Sequence, residues 1–172
     1  MITETSYIVQ VDKWTIHEME LSKEKVSALW EILQRYKTLF SDITKMDPGN
    51  FVQAITSPES MWFEVREHDI LIGIIWFGDM HQVVDCTAHM VFFDRRPAEK
   101  LEVCRAMMKW MFRSFPIHRI TVTPPAIYHA VIRLLEKLGF KREGCKREAV
   151  LMGGKWNDQL IYGLTRTEVE LT

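Results

Sequence analysis

Between Pro124 and Glu168 the hydrophobic pattern switches from helical to alternating, and this stretch restricts the available folds more than any other. Ile127, Val131, Leu134, Leu135 and Leu138 recur at helical spacing, which predicts a helix opened by Thr123-Pro124-Pro125, with these side chains inward and Gly139 just past its end. Phe140 to Met152 and Trp156 to Thr167 then read as two long strands meeting at Gly153-Gly154, a pair that tolerates the positive φ of a tight hairpin turn.

The segments upstream supply the rest of a sheet and its cover. Ser6 to Leu21 mixes β-branched and polar residues and reads as one long or two short strands. From Ser22, an N-cap residue, Val26, Leu29, Trp30, Leu33 and Phe40 mark one helical stripe, and a shorter helix is expected from Gly49 to Ile55. Met61 to Val65 and Ile70 to Phe77 read as strands around the polar turn Arg66 to Asp69, and Gln82 to Phe93 as a further strand. Asp94 to Pro97 breaks that strand and opens a helix with Leu101, Cys104, Met108, Met111, Phe112 and Phe115 on one face, after which His118 to Thr123 is a short strand.

The expected fold is α/β (α+β): a mixed, mainly antiparallel central sheet flanked by helices. The helix after Pro97 is long enough for a crossover, so the strands on either side of it are expected to run parallel. A splayed pair at that point makes a cleft.

Composition narrows the function classes. With 172 residues and 47% hydrophobic content, residues 1–172 are expected to form a single domain with a full core. Lys plus Arg number 22 against 23 for Asp plus Glu, a balance that gives no field for holding nucleic acid. Cys86, Cys104 and Cys145 have no metal-binding spacing and are read as reduced core residues, which with an N-terminus lacking a basic and apolar leader leads to a cytoplasmic expectation. No apolar run approaches the roughly 18 residues of a membrane span.

The string Arg133-Leu-Leu-Glu-Lys-Leu-Gly-Phe-Lys-Arg-Glu-Gly144, followed by a strand, a Gly turn, Lys155-Trp-Asn-Asp158 and Ile161-Tyr-Gly-Leu164, resembles the GNAT acyltransferase superfamily. It looks most like the branch containing ribosomal-protein N-terminal acetyltransferases. Ile70-Leu-Ile-Gly73-Ile-Ile is similar to that family's second hairpin strand, and the element order matches over most of the chain. The resemblance implies acetyl-CoA in the cleft, with its pyrophosphate at the start of the crossover helix, where unpartnered N–H groups and the helix dipole favour anions.

The sequence departs from the family where that chemistry is done. The phosphate loop of the family carries glycines, whereas Asp94-Arg-Arg-Pro-Ala-Glu-Lys100 carries none; Pro97 removes an N–H and Glu99 adds a negative charge. Arg95, Arg96 and Lys100 are read either as compensating phosphate ligands, with Phe92 beside them at the end of the cleft strand, or as a charged, solvated helix start. Tyr128 stands where the family commonly has Asn, Val131 at a Ser/Ala position, and Leu135 where many members carry the Tyr that protonates the departing thiolate. Tyr128 either supplies that proton or packs at the helix start.

Acetyl transfer to an amine also needs a proton acceptor. Asp85 and His89, four apart in one strand, share a face and are the leading candidates; the other reading of His89 is a partly buried strand residue. Glu64, Tyr162 and Asp158 are weaker candidates, with Asp158 alternatively pinning the final hairpin. Trp62, Trp76, Trp110 and Trp156 are read as core, with one of them bordering a ligand cleft as the variant. The resulting expectation is an acetyl-CoA-dependent N-acyltransferase without a metal, acting on a protein or small amine. The alternative is a GNAT-like assembly or binding factor without catalysis, on an overall similarity to divergent GNAT-like proteins of short-tailed phages, some labelled head-assembly proteins. Its partner would then be a phage structural protein or a second copy of itself.

Overall fold

A computed structural model describes residues 8–36, 47–81, 84–93 and 97–170. The first segment forms two short strands, β1 (Val9–Val11) and β2 (Trp14–Glu18), turned through Asp12 at φ 53°, a left-handed conformation that Asp tolerates better than most residues. Ser22 caps α1 (Lys23–Gln34) by accepting from the Lys25 N–H at 3.2 Å, as its place ahead of the apolar stripe predicts. The helix stops at Gln34, and Phe40 lies outside the described residues. Asp47 caps α2 (Pro48–Ile55), its carboxylate accepting from the Gly49 and Asn50 N–H groups.

β3 (Met61–Glu67), β4 (Ile70–His81) and β5 (Asp85–Phe92) form an antiparallel meander. Its first turn is shorter than the sequence implies: β3 runs through Glu67, and only His68 and Asp69 lie between the strands. Gly73 faces Phe92 across the ladder, and a Cβ there would come within 2.8 Å of both the Phe92 ring and the Val91 carbonyl oxygen. Backbone cannot yield as a flexible side chain can. Gly73→Ala is therefore expected to cost about 1–3 kcal/mol by overpacking, seen as a lower urea midpoint at unchanged m-value. An unchanged midpoint would mean that β4 and β5 move apart freely.

The crossover is α3 (Pro97–Ser114), which buries Val103, Cys104, Met107, Met108, Met111 and Phe112 against one face of the sheet. It returns the chain so that β6 (Arg119–Val122) runs parallel to β5. α4 (His129–Lys137), β7 (Lys141–Met152) and β8 (Lys155–Thr165) follow, the last two turning at Gly153 and Gly154 with φ 59° and 74°. β8 inserts beside β6, so the eight strands run β1-β2-β3-β4-β5-β6-β8-β7. The sheet is mixed, mainly antiparallel and flanked by helices. Edge strand β7 is mostly exposed and carries Lys141, Arg142, Lys146 and Arg147, charges that discourage pairing with another chain.

Two cores lie on opposite faces. Phe63, Ile75, Phe77, Cys86 and Ala88 pack with α3 and with Leu135 of α4, while Trp62, Ile74 and Val91 pack with Leu29 and Leu33 of α1 and with Phe51 and Ile55 of α2. Burial pushes the Cys86 and Cys104 thiols up to about 12, which keeps both un-ionised at neutral pH. Cys145, in contrast to its expected core position, is exposed on β7. Trp156 is likewise 56% exposed at the end of the closing hairpin, so it is no core residue.

Two further corrections concern element ends. The fourth helix begins at His129 rather than at Thr123-Pro124-Pro125, and Ile127 is 47% exposed instead of inward. The residues before it follow β8: Leu160 N–H donates to the Pro124 carbonyl at 2.9 Å and Ala126 N–H to the Asp158 carbonyl at 2.8 Å. The final strand ends at Thr165, and Arg166 begins a short helix, α5 (Arg166–Glu170). No helix among the described residues is long and apolar enough to cross a membrane.

Candidate active site

The site is created where β5 and β6 part. They pair only through Asp85, Cys86 and Thr87 opposite Arg119, Ile120 and Thr121. Beyond that point Pro124 and Pro125 have no N–H to offer a neighbouring strand. The hydrogen bonds of Pro124 and Ala126 go to β8, and the Gln159 side chain adds a bond to the Thr123 carbonyl at 3.0 Å. The chain after β6 is thus held against β8, and among the described residues no strand pairs with that edge of β5 from Ala88 onward.

A cavity of about 430 Å³ occupies the gap. Ala88 and Met90 belong to the core under α3, whereas Val91 belongs to the core under α1 and α2, and all three border the same space. The cavity therefore passes through the sheet at the splay. Val122, Thr123, Pro124 and Pro125 form its far wall, with Tyr128 and Val131 from the start of α4. Trp30 and Leu33 of α1 and Asn50, Phe51 and Ala54 of α2 close it from the other face.

Across the sheet floor runs a row of rings. Trp62, Trp76 and His89 are successive register partners on β3, β4 and β5. Trp62 and Trp76 stack with centroids 4.6 Å apart and planes 4° apart; Trp76 and His89 stack at 4.8 Å and 7°. Neighbouring strands lie about 4.7–4.9 Å apart, so the strand spacing sets the ring spacing. Phe51 meets Trp62 edge-on at 6.2 Å, and Trp30 tilts against Phe51 at 5.1 Å.

His89 is exposed in the cavity, yet protein surrounds most of its ring. Loss of hydration lowers its pKa from 6.5, and the negative charge of Asp79 opposes this in part. The imidazole is accordingly neutral at neutral pH and able to accept a proton.

The structure does not bring Asp85 to it. Four residues of strand place the two roughly 13 Å apart at about 3.4 Å per residue. Asp85 lies at the closed end of the splay, accepting from the Thr121 hydroxyl at 3.0 Å on each oxygen, with Arg119 Nε at 3.6 Å. It does not border the cavity, and the expectation that both groups share one site is corrected.

Phe92 points to the opposite face, against Trp14 with centroids 6.1 Å apart and under the Lys100 ammonium at 5.5 Å. Arg95 and Arg96 lie outside the described residues. Leu135 is fully buried, so the position that many family members use for a Tyr hydroxyl is apolar core here. Glu64 is buried between Arg66 and Lys25, Tyr162 donates to Glu136 at 3.3 Å away from the cavity, and Asp158 accepts from the Glu148 N–H at 2.9 Å within the closing hairpin. His89 and Tyr128, both singled out from the sequence, line the cavity, whereas the aromatic row has no signal in the sequence. Only the register of two hairpins reveals that.

Comparison with known proteins agrees with this architecture. A Bacillus subtilis (strain 168) protein named uncharacterized N-acetyltransferase YnaD is 25% identical over 131 residues, covering 73% of this chain and 76% of its own length. Among solved structures, a spermidine N-acetyltransferase SpeG chimera from Vibrio cholerae and hSSAT superposes with a TM-score of 0.79 at 12% identity, over 94% of this chain and 100% of that one. RimL, a ribosomal-protein α-N-acetyltransferase in complex with coenzyme A, superposes with a TM-score of 0.74 at 13% identity, over 93% and 98% of the two chains. Residues 10–161 match the family described as Acetyltransferase (GNAT) domain, and a match over most of the sequence, joined to the splayed β5–β6 pair, makes this chain a member of the GNAT acetyltransferase family.

Proposed function

We propose that the chain is an acetyl-CoA-dependent N-acyltransferase whose acceptor is an amine on a small molecule or a protein. The observation that carries this reading is the cavity that crosses the sheet where β5 and β6 part, since it lets an acyl donor and an amine approach one point from opposite faces. Acetyl-CoA, when bound, supplies an activated acyl thioester. The unpaired β5 edge beyond Ala88 offers backbone groups to an extended amide-bearing ligand, a fit that a fully paired strand would deny. Lys100, held over the Phe92 ring in the first turn of α3, is placed to draw phosphate toward that helix start, and Arg95 and Arg96 are assigned the same task from sequence.

His89 takes the proton that the amine loses as its N–C bond forms. Tyr128, across the cavity, gives its hydroxyl proton to the sulfur whose C–S bond breaks, in place of the hydroxyl that Leu135 lacks. Asp85 acts at a distance by fixing Thr121 and hence the apex of the splay. The protein is read as working in a reducing cytoplasm, with no metal.

A second reading, an assembly or binding factor without turnover, draws on the Gly-free stretch from Asp94 to Lys100. Calorimetric titration with acetyl-CoA separates the two. Saturable heat together with thiol release in the presence of an amine panel is the expected result. Absence of heat at millimolar acetyl-CoA would overturn the enzyme reading, and binding without thiol release from any amine would transfer support to the second.

A further inference from the structure

Which amine the cavity accepts is written in the wall beneath α1 and α2; the inference rests on the acyltransferase reading above. That wall consists of Trp62, Trp76, Trp30, Phe51, Leu33 and Ala54, with Asn50 at its side. Among the described residues lining the cavity there is no Asp, Glu, Lys or Arg. An acceptor with several ammonium groups would leave all but the reacting one desolvated and without a counter-charge, which is costly.

Cation–π contacts at the centre of the row do not repair this, because Trp76 spends both its faces, one on Trp62 and one on His89. A stack running from strand to strand presents ring edges, not faces, to the space above the sheet. The edge of an aromatic ring carries the positive part of its quadrupole, so it repels an ammonium and attracts the face of another ring. Phe51 and Trp62 already form one perpendicular edge-to-face pair at this wall, with planes 81° apart.

We infer that the acceptor carries its amine a short distance from a flat aromatic group, which lies on the ring edges of Trp62 and Trp76 and leaves the amine beside His89. A free arylalkylamine and a peptide beginning with an aromatic residue share that chemistry. A polyamine does not.

The test is thiol release by the whole protein at saturating acetyl-CoA with 2-phenylethylamine, hexylamine, spermidine, Phe-Gly-Gly and Gly-Gly-Gly. The aromatic acceptors are expected to exceed their aliphatic counterparts at least tenfold in kcat/KM. Preference for 2-phenylethylamine over Phe-Gly-Gly identifies a small-molecule acceptor, and the reverse a peptide. Trp76→Leu should raise KM for the preferred aromatic acceptor about tenfold and KM for hexylamine less than threefold, and Phe51→Leu checks the same wall from α2, leaving the ring that stacks on His89 in place. Spermidine or hexylamine equal to the aromatic amines, or variants that slow every acceptor alike, would overturn the inference. If no amine releases thiol, the acyltransferase reading falls by itself. Calorimetry with 2-phenylethylamine against spermidine then decides the wall's preference, with binding of the first supporting it and binding of the second or of neither refuting it.

Discussion

His89→Gln is expected to lower kcat/KM for acetyl transfer by about 10²- to 10⁴-fold, the range a positioned proton acceptor contributes, while acetyl-CoA affinity stays within twofold. Glutamine fills nearly the same space beside Trp76 but cannot take a proton at neutral pH. The surrounding protein lowers the His89 pKa from 6.5, so the neutral, proton-accepting form persists below that pH. The wild-type profile of kcat/KM should therefore carry an acidic limb whose apparent pKa lies below 6.5. In the Gln variant that limb should vanish. An identical limb in both proteins would assign the proton to another group.

The same lowering has a sign in stability. Between the folded pKa of His89 and its unfolded value of 6.5, the unfolded chain binds more protons. Stability is then full above 6.5 and declines as pH falls toward the folded pKa. His89→Gln should flatten that decline in a series of thermal melts across pH 7 to 5, an outcome that reports on burial independently of catalysis.

The legible and illegible parts of the chain differ in where their causes lie. Ser22, Gly139 and Gly153-Gly154 act on their own neighbours, through a side-chain cap and through φ values of 91°, 59° and 74° at the glycines, so their effect can be read in place. Gly73 is half legible: its place in a strand can be read, but its cause is the Phe92 ring on β5. The register between Trp62, Trp76 and His89 depends on a turn two residues shorter than Arg66 to Asp69 implies, both of them taken up by β3, and on the irregularity between Gly78 and His81. Ile127 was illegible for a related reason. Its spacing fits the helical stripe, yet just before it Pro124 gives its carbonyl and Ala126 its N–H to β8, while the Pro125 carbonyl accepts from the Tyr128 N–H in a turn. Asp85 and His89 share a face, as period two requires, but a face is longer than a site.

Arg166 shows the same lesson at a position with no motif, and its removal should be the most destabilising change of a single surface-reaching side chain. Its guanidinium donates to the carbonyls of Phe115 and Ile117, each at 2.7 Å through Nη2, and also to that of Phe112. These carbonyls lie in and just beyond the last turn of α3, where intrahelical donors run out and the helix dipole is negative. Hydrogen bonds to a charged group contribute about 1.5–3 kcal/mol each, with part returned when water reaches the released carbonyls. We therefore expect Arg166→Ala to cost about 2–4 kcal/mol, or roughly 5–15 °C in Tm for a chain of this size. Arg166→Lys should restore only part of it, because a single ammonium cannot span carbonyls that a planar fork reaches together. A melt of the Ala variant within 2 °C of wild type, in the same buffer, would show that water caps α3 as well as Arg166 does, and that the short helix after β8 is held by Glu168 instead, whose carboxyl is kept down at about 2 by Lys141 and the Thr165 N–H.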